Sequence, residues 1–271
     1  MKRLILLLLF SCPLLADNIL VDVSLPPFTF FIREIGGEAF QPISLVPPGA
    51  NPHAYEPTPG QVRQAQKAKV WFRIGEPFEE RLLPALEGAG VKVVDLRKGL
   101  DLMKGNCPHC RHGEDLHFWM SVREAKIFSR TIADGLIEVA PDQRALIEGR
   151  LKDLEIRLDL EDQELKDRLG QCGVKAIVVS HPAFGYFCRD YGIVQLSVEV
   201  EGKEGGLKQI NQLIARAKEL GVTRVILQTQ FANKGARLVA KKIGAETCTV
   251  DPLSEDYFEM LDHLAECLCP S

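Results

Sequence analysis

Apolar positions along this chain follow two periods. Short runs rich in Val, Ile and Leu at 19–23, 44–46, 70–74 and 91–96 have the length of buried strands, and the stretches 61–67 and 79–86 between them have a helical period. The alternation resumes later, with strands predicted at 176–179, 194–198, 225–227 and 247–250 and helices at 206–220 and 234–243. Amphipathic helices are also predicted at 122–139 and 256–267. Strands and helices that alternate in this way imply parallel sheets covered by helices.

Between the two α/β segments, Ile147, Leu151, Leu154, Leu158, Leu165 and Leu169 recur at steps of three or four residues or their sum, which draws one apolar stripe through a charged surface. Pro141 followed by Asp142 suits a helix start. One helix over 141–169 is therefore expected, long enough to link two bodies stiffly. A chain of 271 residues exceeds the usual size of a single hydrophobic core. The expected fold is α/β, with two lobes that each carry a mainly parallel sheet flanked by helices, joined by one long connecting helix. The division is a leader at 1–16, an N-terminal lobe at 17–140, a linker helix at 141–170 and a C-terminal lobe at 171–271.

The first residues change the picture of where the protein works. Met1-Lys2-Arg3, an apolar run from Leu4 to Phe10, and Ser11-Cys12-Pro13-Leu14-Leu15-Ala16 have the three parts of a secretory signal, with cleavage expected after Ala16. The run falls short of the roughly 20 apolar residues a membrane span needs, so a mature periplasmic protein is expected. Leu9-Phe10-Ser11-Cys12 also has the outline of a lipobox, which would anchor the chain through Cys12, although Phe before Ser fits it poorly. Removal of 1–16 takes Lys2 and Arg3 and no acid, so the formal charge goes from −4 to −6. With no basic stripe to offset that balance, no nucleic-acid partner is expected. Cys107, Cys110, Cys172, Cys188, Cys248, Cys267 and Cys269 remain in the mature chain. In an oxidising compartment some should pair, with Cys248 to Cys267 or Cys269 the favoured tie, and the odd count leaves one over.

Three histidines and one aspartate sit where open α/β sheets place their ligands, in turns beyond strand ends or in loops that open helices. His53 lies in a stiff turn rich in Pro and Gly after a strand, and His117 lies just before the helix at 122–139. His181 directly follows the strand at 176–179 and its Ser180, and Asp251 directly follows the strand at 247–250. Two come from each half, so one crevice between lobes could collect all four. Three imidazoles and a carboxylate suit tetrahedral Zn²⁺; Mn²⁺ is the alternative if the carboxylate binds through both oxygens.

The chain resembles the zinc- and manganese-binding solute-binding proteins of ABC importers, the cluster A-I family, over essentially its whole mature length. The resemblance rests on Leu25-Pro26-Pro27, the segment Pro-Pro-Gly-Ala-Asn-Pro-His-Ala-Tyr-Glu-Pro-Thr-Pro at 47–59, His117-Phe118-Trp119, His181-Pro182-Ala183-Phe184-Gly185-Tyr186 and Asp251-Pro252-Leu253. It implies metal ligands at His53, His117, His181 and Asp251, two lobes bridged by a long helix, and a membrane ABC permease as partner of a monomeric protein. Histidine at the third ligand position accompanies zinc in that family, and glutamate there accompanies manganese. Two departures stand out: Trp119 is followed by Met120-Ser121-Val122 where relatives carry Leu-Asp-Pro, and Gln228 stands where many carry Glu.

Cys107-Pro108-His109-Cys110-Arg111-His112 resembles a reduced form of the histidine- and acid-rich loop that precedes the second ligand in zinc-specific relatives. An auxiliary zinc site and a local disulfide are both open readings of it. A zinc hydrolase is disfavoured, because four protein ligands fill a tetrahedral shell and no His-Glu-x-x-His motif is present. Surface adhesion, a role attached to some relatives, would require lipidation of Cys12.

Overall fold

The computed structural model describes residues 18–105, 113–200 and 203–270. The leader with Cys12, and the cluster of Cys107, His109, Cys110 and His112, lie outside the described residues. Strands β1 (Ile19–Val23), β2 (Phe40–Ser44), β3 (Val70–Arg73) and β4 (Lys92–Asp95) form a parallel sheet in the order β2-β1-β3-β4. After β5 (Ala176–Val179) and β6 (Val194–Ser197) come a short antiparallel pair, β7 (Glu199–Val200) and β8 (Lys203–Glu204), then β9 (Arg224–Gln228) and β10 (Glu246–Val250). The second sheet is also parallel, in the order β10-β9-β5-β6. Counted within its own half, each sheet has the order 2-1-3-4. The chain thus leaves the first strand of each half in opposite directions, which opens a crevice at the carboxyl ends of the strands.

Helices α1 (Pro27–Gly36), α2 (Pro59–Ala65), α3 (Glu79–Gly88) and α4 (Val122–Val139) belong to the first half, and α6 (Gly185–Asp190), α7 (Leu207–Glu219), α8 (Lys234–Ile243) and α9 (Tyr257–Leu268) to the second. Between them runs α5 (Arg144–Cys172), about 43 Å long at 1.5 Å per residue. Pro141–Gln143 form a 3-10 turn ahead of it rather than its first turn, and it continues to Cys172, where Gly173 at φ 67° closes it in the left-handed conformation that glycine favours. Ile147, Leu154, Leu158, Leu165 and Leu169 are buried, as the stripe predicts. Helix α5 packs against α1, α4 and α9.

Helix α1 and strand β2 depart from the sequence reading, and helix α6 and the pair β7–β8 stand where it expects no element. Helix α1 was not anticipated, because Pro26-Pro27 and the run Phe28-Thr29-Phe30-Phe31 show no polar face. Pro27 is tolerated in the first turn, where its missing N–H is not needed, and the helix is buried nearly all round, with Phe31 against the Tyr257 ring at 4.8 Å. Strand β2 spans Phe40–Ser44 rather than 44–46. Pro42 lies inside it and is tolerated because β2 is an edge strand, while Leu45 and Val46 continue the hydrogen bonds to the carbonyls of Val23 and Ser24.

One apolar core runs from the first sheet through α1, α4, α5 and α9 to Ile177, Val179, Ile226 and Val250 on the second sheet. The other face of that sheet, with Val178, Val225 and Leu227, packs beneath α7 and α8. The two halves therefore share one apolar core. The disulfide Cys248–Cys267 ties β10 to α9, one of the two expected pairings, and a second, Cys172–Cys269, joins the end of α5 to the C-terminal segment. Cys188 is free and buried. Among the described residues no helix is long and apolar enough to cross a membrane.

Candidate metal centre

Each histidine is set by its local backbone. His53 lies in a 3-10 turn, Pro52–Ala54, whose start is fixed by Asn51 Oδ1 accepting from the His53 amide at 3.0 Å. His117 precedes a 3-10 turn, Phe118–Met120, that leads into α4. Its amide donates to Asp115 Oδ1 at 2.9 Å. His181 leaves the end of β5, where its amide donates to Gln228 Oε1 at 2.7 Å and its ring stacks on Phe231 with centroids 4.1 Å apart. The Tyr186 hydroxyl accepts from the Met103 amide and donates to the Asp115 carbonyl at 2.7 Å, which ties the loop carrying His117 to α6.

From these three separate elements the Nε2 atoms converge. His53 Nε2 stands 3.1 Å from His181 Nε2, which stands 3.2 Å from His117 Nε2, and the three lie within 4.8 Å of one another. The opposite ring nitrogens are each held by a different carboxylate: His53 Nδ1 by Glu76 Oε2 at 3.2 Å, His117 Nδ1 by Asp115 Oδ1 at 2.7 Å, and His181 Nδ1 by Glu199 Oε2 at 2.8 Å. A carboxylate only accepts, so Nδ1 carries the proton and Nε2 of the neutral ring presents a lone pair. Lone pairs facing at such distances repel unless a cation sits among them. Ligands about 2.0–2.1 Å from a tetrahedral zinc stand about 3.3 Å apart, so the observed separations fit a shared ion.

His181 is fully buried and His117 is 4 % exposed. Burial, followed by the neighbouring His117 and His53, pushes the His181 pKa well below the ordinary imidazole value, so the ring stays neutral and able to ligate. Burial works to raise the pKa of Glu76, but the electrostatic attraction of the His53 ring and the hydrogen bond from its Nδ1 prevail and hold it below the usual carboxylate range. A cavity of about 190 Å³ beside the triad, lined by Asn51, His53, Ser180, Glu199, Glu204 and Phe231, opens a polar approach from solvent.

Asp251 lies outside the three-imidazole group. Directly beyond β10, its Oδ1 accepts from Gln230 Nε2 and, at 2.8 Å, from the Leu253 amide. Gln230, Pro252 and Leu253 line the pocket with the histidines. Sequence reasoning missed Glu76 and Glu199. Neither belongs to a local motif, yet each lies just past a strand end, β3 or β6, on the rim where the ligands gather. Gly75 places Glu76: it adopts φ 101°, and a Cβ there would meet the Arg97 guanidinium at 2.6 Å. Gln228, where the family resemblance led one to look for a glutamate, spends its carbonyl oxygen on the His181 backbone.

Known proteins resemble this chain in sequence and in fold. A protein of Chlamydia muridarum (strain MoPn / Nigg), provisionally named metal-binding, is 33 % identical, covering 97 % of this chain and 98 % of that protein. A crystal structure of ZnuA superposes with a TM-score of 0.86 at 34 % identity, covering 92 % of this chain and 97 % of the other. The manganese ABC transporter substrate-binding lipoprotein PsaA of Streptococcus anginosus is 25 % identical, covering 77 % of this chain and 72 % of that protein. Residues 21–268 match the family described as ZnuA, zinc-uptake complex component A, periplasmic. The chain belongs to that family of metal-uptake proteins.

Proposed function

We propose that this chain captures a divalent transition metal outside the cytoplasm, Zn²⁺ in preference to Mn²⁺, and delivers it to the permease of an ABC-type metal importer. The ion is held by His53, His117 and His181, with Asp251 as fourth ligand, between an N-terminal lobe at 17–140 and a C-terminal lobe at 171–271 on either side of the linker at 141–170. One observation carries this reading: three Nε2 atoms meet from three elements, each with its Nδ1 on a separate carboxylate. Three neutral nitrogens favour zinc over manganese, which prefers an oxygen-rich shell of higher coordination number. Asp251 Oδ2 makes no hydrogen bond among the described residues, and a rotation of its side chain completes the tetrahedron.

The protein acts as a carrier rather than an enzyme in this reading. Three imidazoles and a carboxylate leave no open position for a reacting water. His53 and His117 come from the first half and His181 and Asp251 from the second, so a small separation of the halves at the permease removes half the ligands and frees the ion. A monomer in the periplasm, freed of its leader or held by a lipid on Cys12, leaves both lobes accessible to that partner. X-ray absorption on the zinc-loaded protein tests the site: the reading expects three imidazoles and one carboxylate oxygen at about 2.0–2.2 Å, and a sulfur shell or a shell with fewer than three imidazoles contradicts it.

A further inference from the structure

We propose that the Cys248–Cys267 disulfide and His263 form a latent, redox-gated metal site, which takes a thiophilic divalent ion such as Zn²⁺ once the disulfide is reduced. It shares no residue with the centre described above. Cys248 is on β10, while Cys267 and His263 lie one helical turn apart on α9, so both α9 side chains point to the same strand. The sulfur atoms and an imidazole nitrogen lie within 4.8 Å of one another.

The donor geometry is already near that of a bound ion. Cys267 Sγ stands 3.7 Å from His263 Nε2. A thiolate at about 2.3 Å and an imidazole at about 2.0–2.1 Å from a tetrahedral zinc stand about 3.6 Å apart, so that edge already has the length a bound ion requires, and the ring has only to leave the Thr249 carbonyl and turn Nε2 toward the sulfurs. The other edge requires only that the two sulfurs, once reduced, move apart to about 3.8 Å. In the disulfide form His263 Nε2 donates to the Thr249 carbonyl at 2.9 Å, which holds the ring against the sulfurs. When Nε2 binds the ion the imidazole proton moves to Nδ1, 3.9 Å from Glu266 Oε2, where that carboxylate can accept its hydrogen bond.

Access and chemistry are consistent with such a switch. The side chain of His263 is 48 % exposed and Cys248 is only partly buried, so a reductant and an ion can both reach the site. Two electrons and two protons from a dithiol, itself oxidised to a disulfide, open the bond to two thiols. Binding of the divalent ion then releases the two thiol protons, and a water fills the fourth position. While the disulfide is closed the sulfurs are not ligands, so metal binding there reports reduction.

Cobalt titration tests the proposal, because thiolate ligands give Co²⁺ an intense near-ultraviolet charge-transfer absorption that imidazole and carboxylate ligands lack. The full mature chain with Cys107→Ser and Cys110→Ser, which removes those two thiols, is compared as isolated and after anaerobic reduction by a phosphine that is then removed. The oxidised protein is expected to bind Co²⁺ without the thiolate band. The reduced protein gains one further ion together with that band. His263→Ala, on an exposed position, weakens the second ion by roughly ten-fold or more and leaves the first unchanged. Cys172→Ser with Cys269→Ser retains the band. A reduced protein that shows no thiolate band, or one whose band survives Cys248→Ser, overturns the proposal; far-ultraviolet circular dichroism on each variant confirms that the fold persists.

Discussion

His181 Nδ1 donates to Glu199 Oε2 at 2.8 Å, although 18 residues and the strand β6 separate them in the chain. The carboxylate fixes the tautomer that turns the Nε2 lone pair toward His53 and His117, and it raises the basicity of that nitrogen.

Glu199→Gln keeps the size of the side chain and removes its charge. Zinc affinity should fall roughly 10–100-fold while the fold persists, as read by competitive titration against a chromophoric chelator and by circular dichroism. Unchanged affinity would show that the carboxylate does not support the ligand.

The depressed pKa of His181 has two consequences for pH. The unfolded imidazole titrates near 6.5, while the folded one titrates lower because of burial and the neighbouring histidines. Between the two values the unfolded chain binds a proton that the native chain does not, so the metal-free protein gains stability as pH rises toward 6.5 and gains no more from this group above it. By the same sign, the His181 nitrogen remains available to metal below pH 6.5. Urea unfolding of the metal-free protein at several pH values checks the first, and zinc titration over the same range checks the second.

Glu161 gives the opposite slope. Burial in the α5–α9 contact, with Asp262 and Glu164 nearby, raises its pKa from 4.5 to about 7. The native state therefore keeps a proton that the unfolded chain has lost, and stability from this group declines as pH rises from 4.5 to about 7. Glu161→Gln should stabilise by roughly 1–3 kcal/mol at about pH 8 and have little effect at about pH 4. Denaturant midpoints at the two pH values decide it.

Leu158 is fully buried on the connecting helix, within the core that both sheets share. Leu158→Ala should cost about 2–5 kcal/mol. Because the core is continuous, fluorescence and circular dichroism should report one coincident, shifted transition; two separate transitions would show that the lobes unfold independently.

Much of this architecture was legible because the strands at 19–23 and 176–179 are apolar runs broken only by Asp22, and the α5 stripe keeps its period over several turns. Helix α1 escaped because only Arg33 and Glu34 face outward and two polar positions mark no period, and β2 because Pro42 argues locally against a strand that only an edge position allows. The three histidines announced themselves through the segments around 53, 117 and 181. Glu76 and Glu199 did not, since a carboxylate that reaches a histidine across the fold leaves no local spacing. Asp251 is legible from its place directly after β10, and its Oδ1 accepts from Gln230 and Leu253.

The convergence of His53, His117 and His181 on one ion is tested most directly by zinc titration of the wild-type chain beside His181→Ala, with circular dichroism on both. The account predicts one tight site in the wild type, weakened by roughly 100-fold or more in a variant that remains folded. Equal affinity in the two proteins would contradict it.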